Sequence, residues 1–548
     1  MPVTSSFERI RARYEPKLPR IFAENGPVVA PRDGDLTESV GDRDVIAKLF
    51  PNTYGLPVAT FAAGEGTDTE SFNVGVVLSG GQAPGGHNVI AGLFDALKAL
   101  NGNNKLFGFL GGPSGLTDNK YIDLTADVID AYRNTGGFDM IASGRTKLEE
   151  QEQFEKVAAN CRDLSIRAVV VIGGDDSNTN ACLLAEHFLK TGENIQVIGC
   201  PKTIDGDLKN AQIEISFGFD TATKVYSELI GNIERDVNSA RKYWHFIRVM
   251  GRSASHIALE CALKTQPNIT LISEEVATKE QTLSQIVDGI AGVIRDRHQA
   301  GKDFGVLVIP EGIIEFMPEI KSLISELNSM LGGNENRKYF ASLPTTDDKL
   351  QFVNSHLTAR HSRTFSTLPG DIQTQLILDR DPHGNVQVSK IETEKLLSDL
   401  VSDRLRELKR DGVYNGKFSA QHHFFGYEGR CAAPSNFDAD YCYSLGYTAT
   451  CLIACGKSGY MASIANLAGN VSDWQPGGVP LTSMMNVETR DNKDHPVIRK
   501  ALVELDGAPF KRLEEHREKW ARDDAYRFAG PIQYFGPAEV TDAPPETL

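Results

Sequence analysis

The chain has 548 residues, a formal net charge of −16, 41% hydrophobic residues and 50 glycines spread along its length. That is enough for about two to four cores and excludes a disordered or fibrous protein. The acidic balance argues against a nucleic-acid binder or a partner of anionic membrane surfaces, since both need a positive footprint.

Residues 1–70 carry several prolines and no strong period, and are expected to form an N-terminal extension wrapped on the body. Their first twenty residues mix charges without the apolar stretch of a leader. No apolar run of about 18 residues follows anywhere, so a soluble cytoplasmic protein is expected. From Phe72 to about Arg241, β-branched runs alternate with helical ones. Strands are expected at 72–79, 105–110, 168–172 and 195–199, and helices at 87–100, 121–135 and 178–190. This is the βαβ signature of a parallel sheet covered by helices.

A second set follows, with strands at 244–250, 268–273 and 304–309 and helices at 254–264 and 280–299. The fold class is therefore α/β, with two doubly wound parallel-sheet (Rossmann-like) domains. Domain boundaries fall at 71–241, completed by 431–475, and at 242–316, joined by 416–430. Residues 317–415 read as a mainly helical insertion, in which Ser389 and Glu392 have capping-box spacing ahead of a run of leucines. Residues 476–548, with segments such as HPVIRKALVELDG, read as a C-terminal helical region packing across the domains. The eight cysteines are sparse, and Cys161, Cys182, Cys200 and Cys261, each alone in an apolar segment, read as buried free thiols.

In open parallel sheets, ligands bind beyond the carboxyl ends of the strands. Two of these ends are glycine-rich and lead into helices whose first amides can receive phosphate: GGQAPGGHN from Gly80 and GGDDSNTNA from Gly173. Either alone is also what a tight strand-to-helix turn requires. Neither has the spacing of a P-loop or a dinucleotide fingerprint. A third end, PKTIDGDL, supplies Lys202, Thr203, Asp205 and Asp207. Attack of an alcohol on phosphorus needs a carboxylate at the hydroxyl and a cation near the transferred group, and Asp205 and Lys202 fit those roles. In the second set, Arg252 and Arg430 offer planar forks for a phosphate monoester, and Glu311 can accept hydrogen bonds from sugar hydroxyls.

The ordered set GGDDSNT, PKTIDGDL, MGR, PEG and GYEGR resembles the phosphofructokinase family in its long, pyrophosphate-dependent form, over about residues 70–470. The resemblance implies reversible Mg²⁺-dependent phosphoryl transfer in glycolysis, from pyrophosphate to the C1 hydroxyl of fructose 6-phosphate. It implies pyrophosphate contacts from Gly80, Gly81, Arg145 and Lys202, and a Mg²⁺ ligand in Asp175. Asp205 is implied as proton acceptor, with Thr203 and Ile204 beside it. Fructose 6-phosphate contacts are implied for Met250, Gly251, Arg252, Glu311 and the run Tyr427, Glu428, Gly429 and Arg430. Lys242 and Tyr243 match positions that reach a neighbouring subunit's site, so a homodimer is expected.

Asp176 and Lys202 stand where ATP-using relatives typically have glycine. Asp176 would fill and charge the space a nucleotide α-phosphate needs. An ATP-dependent phosphofructokinase and a non-catalytic regulatory subunit of the same fold remain as alternatives at this point.

Overall fold

The structure is a computed structural model that describes residues 5–64, 66–332, 334–380, 385–490 and 493–548. In chain order the strands are β1 (Val29–Leu36), β2 (Pro57–Ala63), β3 (Asn73–Leu78), β4 (Lys105–Phe109), β5 (Tyr121–Asp123), β6 (Ile166–Gly173), β7 (Gln196–Pro201), β8 (Tyr243–Val249), β9 (Ile269–Thr270), β10 (Phe304–Pro310), β11 (Ala420–Phe425), β12 (Tyr460–Ala465), β13 (Gln475–Pro480), β14 (Met485–Arg490) and β15 (Lys493–Ile498). They form a nine-stranded sheet in the order β1-β2-β13-β12-β7-β6-β3-β4-β5, a four-stranded sheet in the order β11-β8-β10-β9, and the hairpin β14-β15.

The central strands of the large sheet, β12-β7-β6-β3-β4, pair in parallel, and its flanks are antiparallel. All pairs of the small sheet are parallel. Alternation along β6 shows how the large sheet is covered. Ala168, Val170 and Ile172 enter one core, with helices Gly86–Leu100 and Asn436–Ala454. Val169 and Val171 enter the opposite core, with helices Gln151–Asp163 and Asp175–Thr191. A strand buried on both faces reads as an unbroken apolar run, which is why VVVI was legible.

The small sheet uses its faces differently. Val306 and Val308 of β10 extend the first core, whereas Leu307 and Ile309 pack against the insertion through Leu323, Leu327, Leu397 and Val401. The helices from Pro318–Gly332 to Thr393–Arg410 are thus the second layer of the small sheet.

Five expectations change. The N-terminal extension does more than wrap the body, because β1 and β2 lengthen the large sheet through β13. The helix expected over 121–135 shortens to Ala126–Tyr132, because Tyr121–Asp123 pairs antiparallel with β4. The strand at 268–273 keeps only Ile269–Thr270 before the helix Ser273–Thr278 begins. The Ser389–Glu392 capping box does not form: Glu392 accepts from Gln375 and pairs with Lys395, while the Ser389 carbonyl accepts from Arg248. Finally, His495–Ile498 is strand, since residues 485–490 offer it a partner in register, with Met485 opposite Ile498. Within 476–548 the long helix is Ala508–Arg522.

Candidate active site

Because the strands run parallel, the loops after β3, β6, β7, β8, β10 and β11 leave their sheets at carboxyl ends. Gly80 follows β3 with φ +87°, a left-handed conformation that disfavours any side chain. Its amide donates to the Gly144 carbonyl at 2.8 Å, which draws the segment ending in Arg145 alongside the turn. A Cβ on Gly81 would lie 2.8 Å from an Arg430 guanidinium nitrogen, so Arg430, from beyond β11, covers this turn of the large sheet. Its Nε is buried with no hydrogen-bond partner in the chain.

Asp175 opens the helix Asp175–Thr191, with Asp176 exposed beside it in the first turn. The turn ahead of it is braced from within. Asn178 donates to the Gly173 and Gly174 carbonyls at 2.6 and 2.9 Å, and Ser177 donates to Ser79 at 2.7 Å. Acidic side chains at a helix N-terminus complement its dipole, and Asp175 and Asp176 both stand in this first turn.

Lys202 leaves β7 between these two turns. Positions for a Cβ on Gly80 and on Gly174 lie 3.2 and 4.0 Å from its Nζ. The residue is 6% exposed. Burial pushes its ammonium down to about 8, helped by Arg430 and Arg145 and opposed by Asp175 and Asp205. Thr203 accepts from the Asp205 amide at 3.1 Å, which fixes the turn that presents Asp205, and Ile204 is buried beneath it. Asp207 is buried in the same loop. Burial, then the charges of Asp205 and Asp175, raise its carboxyl to about 7, with Lys500 pulling the other way.

On the small sheet, Met250 is buried and Arg252 exposed beyond β8. The Glu311 amide donates to the Val249 carbonyl at 3.0 Å, which holds the β10 loop against them. Burial and then Asp205 raise the Glu311 carboxyl to about 7, while Arg248, Arg430 and Arg252 lower it. The short helix Tyr427–Cys431 is anchored by Tyr226, whose hydroxyl donates to the Gly426 carbonyl at 2.6 Å. Gly429 is buried there, and Tyr427 and Glu428 are exposed. Met250, Gly251, Arg252, Glu311 and Arg430 therefore gather on the Asp205 side of the cleft. Lys242 and Tyr243 lie at the other end of β8, about 20 Å away at roughly 3.3 Å per residue, far from their own chain's Arg252.

Among the described residues, no three or more His, Cys, Asp or Glu side chains close into a metal cage. The carboxylate oxygens of Asp175, beside the two glycine turns, suit a hard divalent cation that completes its shell with phosphate and water oxygens.

A model of the phosphofructokinase family matches residues 73–374. The chain belongs to the phosphofructokinase family. Pyrophosphate–fructose 6-phosphate 1-phosphotransferase of Porphyromonas gingivalis is 57% identical, over 99% of this chain and 98% of that one. The Treponema pallidum protein of the same name is 53% identical, over 99% and 96%. In fold, the chain resembles the pyrophosphate-dependent phosphofructokinase of Marinobacter aquaeolei, with a TM-score of 0.54 at 16% identity, over 83% of this chain and 93% of that one.

Sequence reasoning missed two parts of this candidate site. One is the loop after β4, where Gly111 donates to the Ile141 carbonyl at 2.9 Å and so supports the segment carrying Arg145. Its GGPSG sequence at a strand end was an available signal. The other is Lys500, whose Nζ is 3.5 Å from Asp175, and nothing in its own neighbourhood signals that contact.

Proposed function

We propose that the chain catalyses reversible, Mg²⁺-dependent transfer of a phosphoryl group from pyrophosphate to the C1 hydroxyl of fructose 6-phosphate, giving fructose 1,6-bisphosphate and phosphate. The observation that carries this is the position of the Lys202–Asp205 loop. It lies between a cradle made by Gly80, Gly81 and the Asp175 helix and a cluster of Arg252, Glu311 and Arg430. The names of the relatives at 57% and 53% identity support the same donor and acceptor.

In this reading the Asp205 carboxylate accepts the C1 hydroxyl proton as that oxygen bonds to phosphorus and the bridging P–O bond of pyrophosphate breaks. Lys202 and Arg145 balance charge on the transferred group and the leaving phosphate, and the Gly80 and Gly81 backbone leaves room for it. Arg252 and Arg430 hold the sugar phosphate, and Glu311 orients a sugar hydroxyl, with Met250 and Gly251 shaping the floor. Little covalent chemistry is asked of the chain, which works by alignment and charge stabilisation. Mg²⁺, held by Asp175, would supply further neutralisation of pyrophosphate charge.

Asp176 keeps a nucleotide α-phosphate out, and an Asp176→Gly variant that gains no rate with ATP would argue against that role. We further read the molecule as a homodimer in which Lys242 and Tyr243 complete the neighbouring site. Asp205→Ser tests the centre of the mechanism: turnover should drop by about two to four orders of magnitude, the usual worth of a general base with its positioning. Unchanged turnover would refute the assignment.

A further inference from the structure

After β15 the chain runs half-exposed, with Leu502 turned to solvent and Val503 buried. It crosses between the two sheets as an extended segment pinned on both sides. The Ile498 amide donates to Thr179 Oγ1 at 3.2 Å and Arg499 to the Met484 carbonyl at 2.9 Å, both on the large-sheet side. Ala501 then donates to the Asp207 carbonyl at 2.7 Å, while its own carbonyl accepts from His256 Nε2 at 3.0 Å. Two residues on, the Val503 amide donates at 3.0 Å to Glu274, a buried carboxylate that also receives the Ser255 amide at 3.1 Å. Lys500 is thereby fixed at the crossing. Its ammonium donates to Ser253 Oγ at 2.8 Å, next to Arg252, and lies 3.5 Å from Asp175 Oδ2.

An ion pair at one-third exposure would ordinarily contribute little. Here the backbone on both sides of Lys500 is already held, so only its side-chain rotamers remain to be ordered. The contact also joins the carboxylate that opens the donor cradle to the loop that carries Arg252. Asp175, Asp205 and Asp207 bring three acidic groups into the cleft, and an incoming polyanion needs cations to outweigh them.

We propose that Lys500 is a pyrophosphate-positioning residue, delivered by the crossing segment, whose ammonium transfers from Asp175 to a terminal pyrophosphate oxygen when the donor binds. It stays tethered through Ser253 and so aligns the donor against the acceptor side. This rests on the proposed use of pyrophosphate. The role follows from the contacts of Lys500 with Ser253 and Asp175, and not from a change in its protonation.

The test uses the full chain with Mg²⁺. In Lys500→Met, the KM for pyrophosphate and its dissociation constant by calorimetry should rise about tenfold or more, equivalent to about 1.4 kcal/mol or above. The KM for fructose 6-phosphate should stay within about twofold. Lys500→Arg should recover most of the loss, and Ser253→Ala should fall between. A pyrophosphate dissociation constant unchanged in Lys500→Met would overturn the proposal. So would equal rises in both KM values accompanied by a lowered melting temperature, which would mark a merely structural strut. A wild-type chain that binds pyrophosphate but does not turn it over would instead count against the proposed reaction, while the calorimetric comparison would still decide the role of Lys500.

Discussion

Lys202 combines a fixed position with a lowered proton affinity. Its ammonium is buried between two glycine turns, and loses its proton at about 8 rather than in the usual lysine range. The protonated form attracts the polyanion, so kcat/KM for pyrophosphate should hold below about pH 8 and fall above it, approaching tenfold per unit, since that parameter reports the free enzyme. Lys202→Arg should move this limb well to the alkaline side, because guanidinium does not deprotonate in that range. A limb that keeps its position in the arginine variant would assign the titration to another group. At this scale much of the site was legible, because strand ends place residues predictably: Asp175, Lys202, Asp205, Arg252 and Glu311 each follow a readable apolar run. Lys500 was not, since its partner Asp175 lies more than three hundred residues earlier in the chain.

Elements tell a similar story about local and distant causes. Helix and strand periods located β3, β4, β6 and β7 to within about two residues, because burial on both faces leaves an unbroken apolar run, whereas β12 was not expected. They failed where a partner decided the outcome, as for β15, which forms because β14 is in register with it. The failed capping box has such a cause as well. Arg248 of β8 donates to the Ser389 and Ile391 carbonyls at 2.9 and 3.0 Å. Its Nε lies 2.8 Å from Glu394, an ion contact without hydrogen-bond alignment. Both side chains are buried, and burial holds the Glu394 carboxyl above its ordinary range against the pull of Arg248. This linkage fastens the insertion to the small sheet. Arg248→Met should therefore cost about 3–5 kcal/mol by urea denaturation, the usual penalty for stranding one partner of a buried pair. Pairing it with Glu394→Leu should recover part of that loss. A loss under about 1 kcal/mol in the single variant would show that the insertion is held elsewhere.

For the whole molecule, two sheets share one core while the insertion covers the outer face of the smaller sheet, so the cleft is bounded by elements braced from behind. Lys242 and Tyr243, at the far end of β8, make sense in catalysis only if they serve another subunit. Mixing Asp205→Ser chains with Lys242→Ala chains tests this. Each hybrid dimer would contain one site with both defects and one with neither, so refolded mixtures should regain activity that neither variant shows alone. No regain in verified hybrids would place Lys242 outside the neighbouring site. The choice of donor decides the proposed reaction. The most direct measurement is the rate of fructose 1,6-bisphosphate formation by the purified chain with Mg²⁺ and fructose 6-phosphate, comparing pyrophosphate and ATP at equal concentrations. Turnover should be rapid with pyrophosphate and slight with ATP, and faster turnover with ATP would refute the proposed reaction.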